Sequence, residues 1–290
     1  MRVNESFPSV AVIGGGLLGG SLALAMAARG GGDKVRLWVR RQETADQATS
    51  LGIKSVGTEL AEAVCGADLV VLATPVGAMA DLATRMLDEG LSEHALVTDV
   101  GSVKRLPQAT VAPVLAARGV RFLGSHPMAG SERNGIQAAS ADLFEGAACL
   151  LTNDGLVRSE DATTLEDFWT RVGCRVSWTT AEAHDGLVAR ISHFPHAIAA
   201  LCAQIALRKP EDGDFAGGGL RDTTRVASGD ATLWAEILME NRDAVAVPLR
   251  EMADRLREML AMLDGGEQER LRHFLADAKS RRDGISRNHQ

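Results

Sequence analysis

The chain has 290 residues, of which 46% are hydrophobic and 24% charged, so it is long enough for one large or two medium domains with buried cores. Its formal net charge of −7 argues against nucleic acid or an anionic membrane as a partner. Its four cysteines are widely spaced without a CxxC pair, which predicts neither a disulfide framework nor a zinc site and favours a reducing, cytoplasmic environment.

The first part of the chain alternates strand-like apolar runs with helical patterns. A strand at 10–14 is followed by a helix at 17–29 and a second strand at 34–39. Further strands are predicted at 69–74, 95–98, 120–124, 147–152 and 174–180. This alternation predicts βαβ units and a parallel, doubly wound sheet of the Rossmann type. The apolar run inside the first helix, at 22–28, is too short to cross a membrane.

The second part of the chain, after about residue 180, has helical patterns only. They cover 181–207, with an interruption near Pro195, and 231–263. In the second of these, apolar residues share one face at helical spacing: Leu249, Met252, Leu256, Met259, Leu260 and Leu263. The glycine-rich stretch at 213–219 is predicted to be a loop, and the polar tail from Ser280 is predicted to be frayed. We therefore predict an α/β domain at 1–180 followed by an all-helical domain at 181–290.

A glycine-rich loop joins the first predicted strand to the first predicted helix. Gly14, Gly16 and Gly19 fit the pattern G-x-G-x-x-G, with Leu17 and Leu18 before the last glycine. The first glycine permits a tight turn, the second lets the backbone approach a pyrophosphate, and the third lets the helix pack on the strand. Because the loop lies at the first strand–helix junction, we prefer a dinucleotide site at 1–180 to a purely structural turn.

The end of the second predicted strand indicates which dinucleotide is bound. An acid is expected there for NAD, to accept hydrogen bonds from the ribose, but this chain has Arg40 and Arg41. Guanidinium groups suit the 2′-phosphate of NADP, so NADP is the predicted cofactor. The alternative is that both arginines are solvated loop charges and that the cofactor is NAD.

Three further segments follow predicted strands, at the sheet edge where α/β proteins bind ligands. Thr74 and Pro75 close the strand at 69–74 and are assigned to the cofactor site. Ser102 follows the strand at 95–98; it is a candidate ligand of nicotinamide or substrate, although taken alone an N-cap for the next helix is the stronger interpretation. His126 follows the strand at 120–124, and its ordinary pKa near neutrality suits proton transfer. The chain has no tyrosine, which excludes dehydrogenases that use a Tyr-x-x-x-Lys pair.

Histidines are clustered in the predicted helical domain. His193 and His196 have H-x-x-H spacing, with His184 nearby, but no Glu or Cys partner has suitable spacing, so we predict no metal site. Substrate contact or hydrogen bonding within the helices is the preferred interpretation.

Two arginines flank an acid in the same domain. Asp222 lies between Arg221 and Arg225, so one arginine is a candidate ion-pair partner and the other a candidate carboxylate ligand. Solvated surface charges are the alternative for both arginines. Trp234 has an apolar helical setting that is more typical of a core residue.

Five motifs, in their content and order, resemble the prephenate/arogenate (cyclohexadienyl) dehydrogenase family of tyrosine biosynthesis. They are GGGLLGGS at 14–21, DVGSVK at 99–104, GSHPMAGSE at 124–132, SHFPHA at 192–197 and GGGLRDTTR at 217–225. The resemblance covers nearly the whole chain. It implies the oxidative decarboxylation of prephenate to 4-hydroxyphenylpyruvate, or of arogenate to tyrosine, with hydride transfer to NADP or NAD.

The resemblance also implies roles for individual residues. His126 matches the catalytic histidine that accepts the proton of the ring hydroxyl, and Ser102 matches the serine that bridges this hydroxyl and the nicotinamide. Arg225 matches the arginine that holds the side-chain carboxylate. The other residues that the resemblance places near the substrate are Glu132, His196, Asp222 and Trp234. The helical second domain of the family dimerises, which implies a homodimer through 181–290.

Two other functions are weighed against this one. A dehydrogenase of the β-hydroxyacid or imine-reducing type shares the Rossmann-plus-helical layout, but the segment around His126 disfavours it. A regulator that senses NADP without catalysis would give no reason for His126, Ser102 and Arg225 to converge. The sequence leaves the choice between prephenate and arogenate open.

Overall fold

The structure is a computed structural model, and it describes residues 9–130, 133–154 and 158–285. The chain divides into two compact units, Met1–Arg242 and Asp243–Gln290. The domain boundary near residue 180 stays a prediction, although every strand of the described residues ends by Thr179 and only helices and turns follow. None of the described helices combines the length and apolar content that spanning a membrane requires.

The first unit contains an eight-stranded sheet in the order β3-β2-β1-β4-β5-β6-β7-β8. Neighbouring strands are parallel except for β6 and β7, which are antiparallel. The first six strands have the order of a Rossmann sheet, so the predicted fold class is confirmed. The strands are β1 (Val10–Ile13), β2 (Val35–Trp38), β3 (Val56–Gly57), β4 (Leu69–Leu72), β5 (Leu96–Asp99), β6 (Arg121–Pro127), β7 (Ala148–Thr152) and β8 (Arg175–Thr179).

Apolar side chains on both faces of the central strands explain this layered fold. In β1, Val10 and Val12 belong to the core on one side of the sheet, while Ala11 and Ile13 belong to the core on the other side. Successive side chains of a strand point to opposite faces, so a continuous apolar run requires helices on both sides. The helices up to residue 180 are α1 (Leu17–Ala28), α2 (Gln42–Ser50), α3 (Leu60–Val64), α4 (Met79–Asp88), α5 (Arg105–Thr110), α6 (Ala112–Ala116) and α7 (Ser159–Val172).

The helical part of the chain is more segmented than its sequence pattern predicts. Its helices are α8 (Ala181–Val188), α9 (Phe194–Ala206), α10 (Gly218–Thr224), α11 (Ala231–Glu240), α12 (Arg242–Asp264) and α13 (Gln268–Ile285). A π-helical segment, Ala189–His193, separates α8 from α9 just before Pro195, which has no N–H group to continue the α-helical hydrogen bonds. The predicted helix at 231–263 is interrupted at Asn241, whose buried side chain binds other elements.

Three further expectations need correction. The stretch predicted as a loop at 213–219 contains the end of a 3-10 turn, Pro210–Phe215, and the start of α10 at Gly218. The tail from Ser280 is helical to Ile285, supported by i,i+4 ion pairs such as Arg281 with Asp277. Strand β6 continues three residues beyond Gly124, because its last residues pair with β7.

Candidate active site

The glycine-rich loop between β1 and α1 has the geometry of a phosphate-binding turn. Gly14 has φ = +119°, a conformation that favours glycine. A Cβ atom on Gly19 would lie 1.9 Å from the carbonyl oxygen of Gly14, so only glycine allows α1 to start this close to β1. A Cβ atom on Gly16 would have nothing within 4 Å, which leaves the backbone open on that side. The loop can therefore receive a group that approaches the N-terminus of α1.

A cavity of about 670 Å³ lies beside this loop, and the arginines predicted to bind the cofactor are in its wall. Arg40 and Arg41 line it, and Arg85 and Asp81 of α4 line it from the other side. Val39, immediately after β2, is buried and packs against Gly15, so the side chain before the arginines offers no acceptor for ribose hydroxyls. The cavity wall thus carries three cations and one acid.

A second cavity, of about 530 Å³, contains residues from both the sheet edge and the helical part of the first unit. It brings together predicted site residues that are far apart in sequence: Gly16, Leu17, Leu18, Thr74, Pro75, Ser102, His126 and Trp234. Thr74 and Pro75 also line the first cavity, so the two cavities share a wall. The hydroxyl of Thr74 is buried and has no hydrogen-bond partner among the described residues.

Ser102 lies in the wall of this second cavity, and its interpretation as a helix N-cap is wrong. Helix α5 begins at Arg105. The carboxylate of Asp185 accepts hydrogen bonds from the backbone N–H groups of Lys104 (2.7 Å) and Arg105 (3.0 Å). Because Asp185 belongs to α8, a residue 80 positions away supplies the cap that the local sequence assigned to Ser102.

His126 is held by a chain of hydrogen bonds behind the cavity. His126 Nδ1 lies 2.9 Å from His184 Nε2, and His184 Nδ1 lies 2.8 Å from the Asp185 carboxylate. A carboxylate only accepts, so His184 carries its proton on Nδ1 and accepts from His126 Nδ1–H through Nε2. Nε2 of His126 is therefore left with a lone pair. A residue that lines the cavity thus has a nitrogen able to take up a proton.

The surroundings of His126 favour its neutral form. Its side chain is 8% exposed, and burial, followed by the positive charge of Lys104, lowers the pKa of His126 well below its ordinary value. Lys104 itself is fully buried and forms an ion pair with Asp99, whose carboxylate also accepts the N–H of Gly101 at 2.9 Å. Neither Lys104 nor Asp185 was singled out from the sequence, where no periodicity marks their contacts.

An aromatic stack lies at another side of the cavity. Trp234 lines the cavity and is only half-buried, so its interpretation as a core residue is wrong. The rings of His196 and Trp234 are stacked with centroids 3.5 Å apart and planes 12° apart. His193 meets Trp234 edge to face, with centroids 6.2 Å apart. Trp234 and His193 thus contribute aromatic rings to the cavity wall, whereas His196 stacks on Trp234 and is not among the lining residues.

The remaining predicted substrate residues are not brought into the cavity walls. Asp222 of α10 and Arg225, in the following 3-10 turn, are both exposed, and neither lines the two cavities described above. Arg221 donates to the carbonyl oxygen of Ala216 at 3.2 Å. Glu132 lies outside the described residues. Among the described residues, no group of three or more His, Cys, Asp or Glu side chains is arranged to hold a metal ion.

Two family models match the chain. One, described as the nucleotide-binding domain of prephenate dehydrogenase, matches residues 22–178. The other, described as the dimerization domain of prephenate dehydrogenase, matches residues 180–277. Together they cover most of the chain.

Curated proteins and solved structures agree with these models. Prephenate dehydrogenase of Bacillus subtilis (strain 168) is 31% identical over 288 residues, covering 98% of this chain and 77% of that protein. Cyclohexadienyl dehydrogenase of Zymomonas mobilis is 33% identical over 293 residues, covering 95% of each. The structure of Aquifex aeolicus prephenate dehydrogenase with hydroxyphenyl propionate and NAD+ is 29% identical, with a TM-score of 0.86 over 98% of this chain and 100% of that one. The chain therefore belongs to the prephenate dehydrogenase family.

Proposed function

We propose that this chain oxidatively decarboxylates prephenate to 4-hydroxyphenylpyruvate, or arogenate to tyrosine, as a step of tyrosine biosynthesis. The observation that carries the proposal is the lone pair of His126 Nε2 in a cavity that shares a wall with the dinucleotide loop. Family membership favours this reaction over the β-hydroxyacid and imine-reducing alternatives. It also disfavours a regulator without catalysis.

His126 acts as the base in this reaction. It accepts the proton of the ring hydroxyl while the carbonyl develops and hydride leaves the same ring carbon. The bond to the ring carboxylate then breaks, its electron pair completes the aromatic ring, and CO2 leaves. The phenolate oxygen regains the proton from His126, so no proton is lost overall. Ser102, in the same cavity wall, donates to the reacting oxygen.

The substrate ring lies against the stacked pair of His196 and Trp234 in this proposal. A flat apolar surface suits a cyclohexadienyl ring, and the stack lies beside the cavity that holds His126. Arg225, Asp222 and Glu132 complete the substrate site at its mouth, on the strength of the family motifs that contain them.

The proposed cofactor is NADP, with NAD as the alternative, and it supplies the hydride acceptor when bound. The residues present fit a dinucleotide, because the open side of Gly16 lies where the two cavities meet. The hydroxyl of Thr74, which has no hydrogen-bond partner within the described ranges, lies at the same place. Arg40 and Arg41 would hold a 2′-phosphate, and the buried side chain of Val39 has no atom that accepts hydrogen bonds from a ribose.

The protein is proposed to work as a homodimer in the cytoplasm. The matched dimerization-domain model covers residues 180–277, and α12 exposes Leu256, Leu260 and Leu263 in the single chain. The cytoplasmic assignment rests on the sequence, whose four cysteines form no CxxC pair.

The decisive test is turnover by the purified protein with prephenate or arogenate and with NADP or NAD, followed by absorbance of the reduced cofactor. Turnover in one of the four combinations supports the proposal, and its absence in all four contradicts it. A KM for NADP that is lower than the KM for NAD supports the cofactor assignment. In Arg40→Ala, the KM for NADP should rise about 10- to 100-fold while the KM for NAD stays constant. A preference for NAD overturns that assignment alone.

A further inference from the structure

His193 is a buried histidine of the second cavity that the proposed reaction does not use. It is the last residue of the π-helical segment, is 1% exposed and lines the same cavity as His126. Its Nε2 atom is buried and has no hydrogen-bond partner in the described part of the chain. A buried ring nitrogen without a partner, on a residue that lines a ligand cavity, indicates a contact that a ligand completes.

The position of the proton on His193 follows from Asn241. The side-chain amide nitrogen of Asn241 lies 2.9 Å from the backbone carbonyl oxygen of Asp185 and 3.2 Å from His193 Nδ1. Since a carbonyl oxygen only accepts, the amide presents its NH2 group at this point, and the second N–H donates to His193. His193 Nδ1 is therefore the acceptor, and the ring proton lies on Nε2.

The charge state of His193 agrees with this assignment. Burial lowers the pKa of His193 to about 4 and outweighs the nearby Asp185 carboxylate, which acts in the opposite direction; His184 and His196 add to the lowering. At neutral pH the ring is uncharged, with a single proton. Nε2 is then a neutral hydrogen-bond donor.

Asp185 determines which ring nitrogen carries the proton in two histidines that line one cavity, and the result is opposite in the two. Its carboxylate acts through His184 and leaves His126 Nε2 as an acceptor. Its backbone carbonyl acts through Asn241 and leaves His193 Nε2 as a donor. The cavity is thus lined by His126, whose Nε2 can accept a proton, and by His193, whose Nε2 carries a proton that it can donate in a hydrogen bond.

We propose that His193 Nε2–H donates a hydrogen bond to a carboxylate oxygen of the bound substrate, and that Asn241 is the positioning residue that holds His193 in this form. The inference rests on the proposed function, whose substrates carry carboxylates. A neutral donor orients a carboxylate without the strong ground-state stabilisation that a cation gives.

The first test needs no turnover. Protein with 15N-labelled histidine is examined by NMR at neutral pH, where protonated and unprotonated ring nitrogens have well-separated signals. The seven histidines give few signals, and comparison with His193→Gln assigns those of His193. We expect a neutral ring with the proton on Nε2, and a change of the Nε2–H signal when hydroxyphenyl propionate, a carboxylate, is added. A proton on Nδ1, a charged ring, or no response to the carboxylate overturns the proposal.

The second test separates hydrogen bonding from packing. His193→Leu should lower kcat/KM about 10- to 100-fold, as expected for a lost hydrogen bond to a charged group. His193→Gln, whose amide N–H replaces Nε2–H, should recover most of that loss. Asn241→Asp should move the His193 proton to Nδ1, visible by NMR, and should impair turnover like His193→Leu. His94→Leu, at an exposed histidine, is the matched control.

The two proposals fail in different ways. An inactive wild-type protein contradicts the proposed function, while the NMR experiment still reports the form of His193 and its response to a carboxylate. An active wild-type protein in which His193→Leu keeps full activity, or in which His193→Gln is as impaired as His193→Leu, overturns only the role of His193.

Discussion

At the scale of single residues, the proton-accepting form of His126 depends on Asp185 through His184. In Asp185→Ala, no carboxylate holds the His184 proton on Nδ1, so this proton is free to move to Nε2 and to be donated to His126 Nδ1. His126 would then accept through Nδ1 and carry its own proton on Nε2, where it cannot act as a base. We expect kcat to fall about 10²- to 10⁴-fold, as for loss of a general base. Steady-state kinetics at saturating substrate measure this loss.

The matched comparison for this prediction is His126→Asn, which should lose a similar factor in kcat. The double variant should be little worse than either single variant, because both changes remove one base. Losses that multiply in the double variant would contradict the hydrogen-bond chain. A loss of thermal stability is also expected in Asp185→Ala, since the same carboxylate caps α5.

The pH dependence of turnover is also determined by a single residue, His126. Since burial and the charge of Lys104 lower the pKa of His126, the neutral base persists to more acidic pH than for an ordinary histidine. Activity should therefore rise with pH below the ordinary histidine range and stay level through neutrality. The kcat profile measured against pH tests this. A rise centred near or above the ordinary histidine pKa of about 6.5 would contradict the neutral form inferred here.

At the scale of elements, two glycines at the junction of β1 and α1 have different roles: Gly19 allows close packing, and Gly16 leaves space for the cofactor. Gly19→Ala places a Cβ atom 1.9 Å from the Gly14 carbonyl oxygen, so α1 must shift and the protein should lose about 1–3 kcal/mol of stability. Gly16→Ala meets nothing within 4 Å and should fold normally, but its methyl group faces the space that the pyrophosphate needs. Denaturant unfolding and cofactor titration distinguish these effects. Gly57→Ala in β3, also in open space, is the control.

The outcome that would contradict this prediction is specific. If Gly16→Ala bound the cofactor as tightly as the wild type, the open side of the loop would not be the phosphate site. If Gly19→Ala were as stable as Gly57→Ala, close packing of α1 on β1 would not explain the third glycine.

At the scale of the whole molecule, the exposed apolar face of α12 predicts self-association. Leu256, Leu260 and Leu263 follow one another at helical spacing and are each more than half exposed in the single chain. We expect the wild-type protein to sediment as a dimer and Leu256→Glu/Leu260→Glu to sediment as a monomer. Leu51→Glu, at an exposed leucine of the first unit, should stay dimeric. A wild-type monomer at micromolar concentration would contradict the proposal.

The sequence by itself determined the Rossmann order of elements and the glycine loop. Both arise from local rules: apolar runs must be buried, and the loop between β1 and α1 must allow positive φ and close approach. The position of Ser102 after β5 was also readable, because parallel strands bring their carboxyl ends to one edge. His126, in contrast, lies inside β6, which continues to Pro127.

Only the tertiary structure decided what these residues can do. The cap of α5 by Asp185, the partnership of His126 with His184 and the contact of Asn241 with His193 join residues 48 to 81 positions apart. No periodicity records such contacts, since each joins side chains of elements that are distant in sequence. Proton positions on His126 and His193 follow from these contacts alone, because an isolated imidazole can carry its proton on either nitrogen.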